Sequence, residues 1–227
     1  MVRNLEKFSR NQMEKKRNNF KNPTYSLVGF LGDEMKIGVI LRPVEDRYTL
    51  NREIEEVIAY YGGSVVGITR YNEELLESLD GAILQGGEEY TQTDLDILTF
   101  LYKRDIPTLG ICLGMQTMGV LFHGELEKIE NHFLLEEGEH VVLVNKDSKF
   151  YGFVRLEEFL VNSRHHEALA TTKMDIVGVA EDGGMEVIED KKKKFFIGVQ
   201  WHPETNFLNK DLSQSLFTAF FETIRNS

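Results

Sequence analysis

The chain contains few of the residues that build disulfide scaffolds, cysteine-based metal sites or membrane spans. Its 227 residues include one cysteine, four prolines and one tryptophan. A single cysteine excludes an intrachain disulfide and a cysteine-based zinc site, and no run approaches the roughly 20 apolar residues of a transmembrane helix. Positive charge is also scarce, because 26 Lys and Arg face 37 Asp and Glu and leave a net charge of −11. This composition argues against nucleic acid or a membrane as the main partner, and the default expectation is one cytoplasmic α/β domain.

The first 34 residues differ in composition from the rest of the chain. Residues 1–21 carry seven Lys or Arg against two Glu and have little apolar periodicity. We expect a basic, disordered extension, and an arm that binds RNA or lipid is the alternative. Met35 begins an apolar strand pattern, so it is also a natural start of the protein. We take residues 35–227 as the folded domain.

Strand and helix patterns alternate from Met35 onward. Four apolar runs have the character of buried parallel strands: Lys36–Leu41, Ser64–Thr69, Gly81–Leu84 and Thr108–Ile111. Between the first two runs, Asn51 is suited to cap a helix that ends at Gly62. Between the last two, we expect Thr93 to cap a helix with Asp96 three residues later. This alternation predicts a parallel sheet with helices on both faces.

The second half of the chain has short strand-like runs without helices of ordinary length between them. The runs are His140–Val144, Phe159–Val161, Asp175–Val179, Met185–Glu189 and Phe195–Val199. They predict antiparallel strands added to the parallel core. Lys191–Lys194 is expected to form a solvated turn, with a phosphate-binding patch as the alternative. Asp211–Arg225 has the apolar periodicity of an amphipathic helix.

The one cysteine lies where an apolar strand pattern gives way to a helical one. In Gly110-Ile-Cys-Leu-Gly114, a small residue lies two positions either side of Cys112, which is the spacing of a nucleophile elbow. A thiol there sits at a helix N-terminus, whose partial positive charge favours thiolate over thiol. The segment predicts that Cys112 is a nucleophile. The alternative for a lone cysteine is a small buried hydrophobic residue.

A thiol nucleophile needs a histidine to transfer a proton and a third group to orient that histidine. His202 directly follows an apolar strand, as Cys112 does. Residues just beyond the carboxyl ends of parallel strands share the ligand-binding edge of an open sheet. Glu204 can accept a hydrogen bond from the imidazole, although His-Pro-Glu by itself is equally a surface turn. Three other histidines lack such a context and are expected to be surface or packing residues: His123, His132 and His140.

Two motifs together resemble those of the class I glutamine amidotransferases: Gly110-Ile-Cys-Leu-Gly-Met-Gln116 and Gly198-Val-Gln-Trp-His-Pro-Glu204. Val161-Asn-Ser-Arg-His-His-Glu167 and Met185-Glu-Val-Ile-Glu189 are similar to segments of the γ-glutamyl-γ-aminobutyrate hydrolase (peptidase C26-like) branch. The likeness runs from about Met35 to the C-terminus. It implies a flavodoxin-like α/β fold, with an open, mostly parallel sheet, helices on both faces and added antiparallel strands in the C-terminal half. No cofactor is implied, and no metal site is expected because no ligand cluster has suitable spacing.

The resemblance implies a catalytic triad in which Cys112 is the nucleophile, His202 the general base and acid, and Glu204 the orienting carboxylate. Thiolate would attack the δ-carbonyl of a γ-glutamyl amide and form a thioester, which water would then hydrolyse. The activity implied is that of a hydrolase acting on γ-glutamyl carbon–nitrogen bonds in a small-molecule substrate.

The resemblance also implies which residues would surround the acyl group. Backbone N–H groups of Leu113 and of Gly86 or Gly87 would form the oxyanion hole, and an ordinary strand-to-loop turn is the alternative for the Gly pair. The residues that would bind the glutamyl group are Gln116, His165 and His166. Either of these two histidines is alternatively a structural residue.

Several positions depart from the pattern of the hydrolase branch. Leu113 stands where that branch usually has Arg. Many synthetase-linked glutaminases also have Leu at this position. Gln85 stands in place of a common Pro, Glu167 in place of a Gln, and the loop at 88–92 is short. These departures leave the thiol chemistry intact and leave open which amine is released.

Three functions are compatible with the sequence. The first is a stand-alone γ-glutamyl amide hydrolase. The second, which Leu113 favours, is a glutaminase subunit that passes ammonia to a separate synthetase partner. The third is a non-catalytic binding protein on the same fold. The sequence leaves open whether the chain forms a homodimer.

Overall fold

The structure is a computed structural model, which describes residues 34–129, 139–205 and 207–227. The predicted basic extension lies outside the described residues apart from its last position, and so does His132. No helix within these ranges is long and apolar enough to cross a membrane.

The strands and helices alternate along the first half of the chain, as predicted. The strands are β1 (Met35–Ile40), β2 (Arg42–Val44), β3 (Arg47–Thr49), β4 (Gly63–Ile68), β5 (Gly81–Leu84), β6 (Thr108–Ile111), β7 (Glu125–Lys128), β8 (Glu139–Val144), β9 (Glu158–Asn162), β10 (Glu167–Thr171), β11 (Asp175–Ala180), β12 (Met185–Glu189) and β13 (Phe196–Val199). The helices are α1 (Arg52–Tyr60), α2 (Glu73–Glu77), α3 (Gln92–Arg104), α4 (Leu113–Leu121), α5 (Lys149–Val154) and α6 (Asp211–Arg225), with a 3₁₀ turn at Phe207–Asn209.

Among the described residues, nine strands form one sheet in the order β4-β1-β5-β6-β13-β12-β11-β8-β9. The first five strands are parallel to one another. The last four continue the sheet in antiparallel fashion from β13. The predicted fold class is therefore confirmed, including the change of strand direction in the C-terminal half.

Helices cover both faces of the parallel half. Val39 points to one face, where it packs with the apolar residues of α1 and α6. Ile40, its neighbour, points to the other face, where it packs with residues of α2, α3 and α4. This alternation is the two-residue period of a strand that is buried on both sides.

The start of α3 differs from the expected one. Thr91 is the N-cap, and its hydroxyl accepts a hydrogen bond from the N–H of Asp94 while the Asp94 carboxylate accepts one from the N–H of Thr91. The prediction of Thr93 with Asp96 was wrong by two residues. Both pairs have the same spacing, but Asp94 is also buried against Arg42, and this ion pair favours the earlier start.

Several short elements were not predicted: the β2–β3 hairpin, α2, the β7–β10 pair and α5. The first turn of α5 shows why. The buried carboxylate of Glu189 accepts hydrogen bonds of 2.8 Å from the N–H groups of Lys149 and Phe150. A contact between residues so far apart leaves no periodic signal in the local sequence. Residues 191–194 form the expected turn between β12 and β13.

Candidate active site

Cys112 and His202 leave the same edge of the sheet from neighbouring strands. β6 and β13 are parallel, with Ile111 in register with Val199. The N–H of Cys112 donates to the carbonyl of Val199 at 2.8 Å, which extends the ladder by one residue. The spacing of the two strands therefore brings the thiol and the imidazole together, although they lie far apart in sequence.

Cys112 occupies a strained turn between β6 and α4. Its φ is 52° and its ψ is −108°, a region that costs an L-residue on the order of 1–3 kcal/mol. The two flanking glycines let the helix approach the sheet closely. A Cβ on Gly114 would overlap the carbonyl oxygen of Leu84, and one on Gly110 would lie 2.7 Å from the carbonyl carbon of Gly114. The turn places Cys112 at the N-cap of α4 with 6% of its surface exposed.

His202 lies between the thiol and a buried carboxylate. Its Nδ1 is 2.8 Å from Oε1 of Glu204, which is 1% exposed. The side chain of Cys112 interacts with the same imidazole and is one of the groups that raise its pKa. Asn162 holds the backbone of His202 through two hydrogen bonds of 2.9 Å, one to the carbonyl and one from the N–H. Asn162 was not predicted, although it lies in the 161–167 segment that carries part of the resemblance.

The surroundings of His202 favour its protonated form. Burial lowers the pKa of the imidazole, but the hydrogen bonds with Cys112 and Glu204 and the negative charges of both raise that pKa to about 10. An imidazolium in this position stabilises negative charge on the neighbouring sulfur. The three side chains therefore place a sulfur nucleophile beside a proton donor.

Of the two glycines after β5, Gly86 faces the candidate catalytic residues. A Cβ on Gly86 would lie 2.8 Å from Cε1 of His202 and 3.7 Å from Cβ of Cys112. A Cβ on Gly87 would instead lie 3.0 Å from both Arg42 Cδ and Leu113 Cδ2. Leu113 is the first residue of α4, where backbone N–H groups have no partner within the helix.

Gln116 is buried and bonded to protein groups. Its Nε2 donates to the carbonyl of Glu167 at 2.6 Å and to Oε1 of Gln200 at 3.3 Å. Nε2 of Gln200 in turn approaches Sγ of Cys112 at 3.6 Å. Gln200 was not predicted, although it lies two residues before His202 in the Gly198–Glu204 motif. The Gln116 side chain is therefore connected to the Cys112 thiol through one intervening side chain, that of Gln200.

The remaining histidines lie in different surroundings. His165 is buried and His166 is exposed, both between β9 and β10, and a role of either in binding substrate stays a prediction. His140 lies 3.0 Å from buried Glu186, where the hydrogen bond and charge of Glu186 outweigh burial and raise the pKa of the imidazole. His123 is in a turn after α4 with a φ of 60°. Both fit the predicted packing or surface role.

Gln85, one of the departures from the hydrolase branch, bonds the turn that leads to Gly86 to the segment between β1 and α1. Its Oε1 accepts from the N–H of Asn51 at 2.8 Å, and its Nε2 donates to the carbonyls of Ile40 and Thr49. Its own carbonyl accepts from Arg42 at 3.2 Å. These four bonds hold Gln85 against the segment from Ile40 to Asn51.

A cavity of about 540 Å³ lies against this turn. It is lined mainly by the β2–β3 hairpin and by the loop from Gln85 to Thr91. Within the described ranges, no group of three or more His, Cys, Asp and Glu side chains is placed to hold a metal ion.

Comparison with known proteins gives a family match over the part of the chain that carries the candidate catalytic residues. The family model for Peptidase C26 matches residues 89–204, a stretch that includes Cys112, His202 and Glu204. The chain belongs to the Peptidase C26 family. Membership supports hydrolase activity at that general level, and the Gly86 turn lies just outside the matched stretch.

Relatives of this Peptidase C26 member include both hydrolases and parts of synthases. A glutamine-hydrolyzing GMP synthase subunit from Archaeoglobus fulgidus is 32% identical over 151 residues, which cover 66% of this chain and 78% of that protein. The gamma-glutamyl-gamma-aminobutyrate hydrolase PuuD of Escherichia coli is 29% identical over 185 residues, which cover 65% and 73%. A glutamine amidotransferase from Thermotoga maritima has a similar structure, with a TM-score of 0.65, 17% identity and coverage of 85% and 99%. The last likeness shows the shared fold.

Proposed function

We propose that this protein hydrolyses γ-glutamyl amide bonds through a thioester on Cys112, releasing glutamate and an amine. The observation that carries the proposal is the arrangement of Cys112, His202 and buried Glu204, in which Nδ1 of His202 lies 2.8 Å from Oε1 of Glu204 and the Cys112 side chain interacts with the same imidazole. The likeness to a gamma-glutamyl-gamma-aminobutyrate hydrolase supports the choice of acyl group.

The first half of the reaction uses the thiolate of Cys112 and the imidazolium of His202 as an ion pair. The thiolate of Cys112 attacks the δ-carbonyl carbon, a sulfur–carbon bond forms, and the carbonyl oxygen becomes an oxyanion. The N–H groups of Leu113 and Gly86 are the donors that we assign to this oxygen. The imidazolium of His202 then gives its proton to the leaving nitrogen, the carbon–nitrogen bond breaks, and the amine departs.

The second half uses His202 as a base. Once the sulfur is acylated, it carries no negative charge, so one of the two groups that raise the pKa of His202 has lost its effect while burial still lowers that pKa. The neutral imidazole takes a proton from water, and the hydroxide attacks the thioester carbon. The carbon–sulfur bond then breaks, its electron pair returns to sulfur, and glutamate leaves. The thiolate and the imidazolium are then restored.

A panel of γ-glutamyl amides that includes glutamine and γ-glutamyl-γ-aminobutyrate tests the proposal, with released glutamate as the readout. We expect turnover by the wild type, a thioester adduct on the intact protein by mass spectrometry, and loss of both in Cys112→Ala. Equal glutamate release by Cys112→Ala would overturn the proposal. No turnover, together with no adduct from a γ-glutamyl diazo-ketone, would favour the non-catalytic binding protein.

The second candidate is a glutaminase subunit that supplies ammonia to a separate synthetase. It is favoured by Leu113 and by the 32% identity to the glutamine-hydrolyzing GMP synthase subunit from Archaeoglobus fulgidus. The same panel separates the two functions. Release of substituted amines by the protein alone supports the hydrolase, whereas strict use of glutamine that rises on addition of a synthetase partner supports the second candidate.

A further inference from the structure

Asn51 contacts both the catalytic carboxylate and the residue before the Gly86 turn. Its Nδ2 donates to Oε1 of Glu204 at 3.1 Å, and its backbone N–H donates to Oε1 of Gln85 at 2.8 Å. Its Oδ1 caps α1 by accepting from the N–H of Glu53 at 2.8 Å. Asn51 therefore connects the N-terminus of α1 to Glu204 on one side of the candidate active site and to Gln85 on the other.

The contact with Glu204 falls on the oxygen that also bonds His202. Oε1 lies 2.8 Å from Nδ1 of His202 and 3.1 Å from Nδ2 of Asn51. The other oxygen, Oε2, is buried and has no hydrogen-bond partner among the described residues. The direction of the carboxylate therefore depends on the two bonds at Oε1, and only the one from Asn51 comes from a group whose charge stays the same when His202 gains or loses a proton.

We propose that Asn51 is a positioning residue, which holds Glu204 on His202 and links that carboxylate to the Gly86 turn through Gln85. The proposal rests on the function proposed above, because it assigns to Glu204 and Gly86 their parts in that reaction. The titratable groups around this contact are His202, which bonds Glu204, Cys112, which interacts with His202, and Glu53, whose carboxylate accepts from neighbouring Thr205 at 3.3 Å.

The substitution Asn51→Asp separates this role from the helix cap. Aspartate is isosteric with asparagine and is an equally good N-cap, and the backbone bond to Gln85 is kept. Only the donor is lost, and a carboxylate oxygen replaces it 3.1 Å from Glu204. Asn72→Asp is the matched control, because Asn72 caps α2 through Oδ1 in the same way, at 3.0 Å from the N–H of Leu75, and is exposed.

Turnover is the first readout. We expect Asn51→Asp to lower kcat about 10²-fold at neutral pH, with little change in KM, because the repelled Glu204 no longer aligns the imidazole. The loss should shrink as the pH falls, since two adjacent carboxylates then share a proton that restores a donor toward Glu204. Asn72→Asp should keep the wild-type pH profile.

Labelling of the thiol is the second readout and needs no substrate. Since the chain has one cysteine, the mass gained with iodoacetamide reports Cys112 alone. The alkaline rise in labelling rate marks loss of a proton from the pair of Cys112 and His202, and we expect a second carboxylate to move that rise to higher pH in Asn51→Asp only. If the wild type turns over no γ-glutamyl amide, the proposed function fails, while this shift still supports the position of Asn51 in the charge network.

Asn51→Ser guards against a folding failure of the aspartate variant. Serine also caps a helix, but it is too short to reach Glu204 and adds no charge. Loss of one bond to a charged group should lower kcat about tenfold without the recovery at low pH. Wild-type kcat in Asn51→Ser, or pH profiles and labelling curves of Asn51→Asp that match those of Asn72→Asp, would overturn the proposal.

Discussion

Gly86 leaves no room for a Cβ atom beside the His202 ring, since such an atom would lie 2.8 Å from Cε1. We expect Gly86→Ala to displace the imidazole and lower kcat about 10²-fold, because a shift of this size disturbs the proton transfer. The neighbour is the end of a side chain rather than backbone, so the melting temperature should change little. Gly152→Ala is the control: nothing lies within 4 Å of its added Cβ, and steady-state kinetics should match the wild type. Unchanged kcat in Gly86→Ala would show that the ring moves without consequence.

Backbone strain at Cys112 should be measurable by comparing two variants that lack the thiol. The φ of 52° is costly for a residue with a Cβ and is accessible to glycine. We expect Cys112→Gly to have a free energy of unfolding about 1 kcal/mol higher than Cys112→Ala. Equilibrium unfolding in urea measures the difference. An alanine variant as stable as the glycine variant would mean that the turn relaxes once the thiol is removed.

The Glu204–His202 bond predicts a pH dependence of stability with a definite sign. The pKa of His202 is raised to about 10 in the folded protein, above its ordinary value. The imidazolium therefore stabilises the fold in full below about pH 6.5, and this contribution is lost as the pH rises toward 10. Glu204→Gln removes one cause of the raised pKa, so its deficit in unfolding free energy should be largest below about pH 6.5 and shrink as the pH rises toward 10.

Glu56→Gln is the control for that series of urea titrations. Glu56 pairs with Arg52 on an exposed helix face, and its removal should cost little at every pH. A Glu204→Gln deficit that stays constant across the pH range would contradict the prediction.

The buried pair of Arg42 and Asp94 should behave differently when one or both partners are removed. The guanidinium lies 2.6 Å from the carboxylate, and both side chains are more than nine-tenths buried. We expect Asp94→Asn to lower the free energy of unfolding by about 3 kcal/mol, because Arg42 then keeps an unpaired charge. Adding Arg42→Met to that variant should recover part of the loss. A double variant less stable than Asp94→Asn would show that the arginine contributes beyond its pairing.

The sequence predicted the parallel core well because those strands are buried on both faces. Thr108–Ile111 and Gly81–Leu84 were predicted with the boundaries that the structure has. The meeting of Cys112 and His202 at one edge followed from the rule that parallel strands share their carboxyl ends. Periodicity and strand direction were sufficient for these features.

Contacts between distant polar side chains could not be predicted in this way. The bond from Asn51 to Glu204 and the bonds of Gln85 depend on how the first loops fold over the sheet. The choice of Thr91 over Thr93 as the cap of α3 likewise depends on Arg42, which is distant in sequence. No local pattern encodes such pairs, so the sequence indicated Asn51 as a helix cap and gave no sign of its bond to Glu204.

The adjacency of β6 and β13 also has a consequence for refolding. Most of the second half of the chain lies between these two strands, so their pairing closes a long loop, and contacts of this kind are slow to form. Helices such as α1 and α6 consist of local contacts and can form earlier. The recovery of Cys112 reactivity during refolding should therefore lag behind the recovery of the helical circular-dichroism signal. The rate of that recovery would report when β6 and β13 pair.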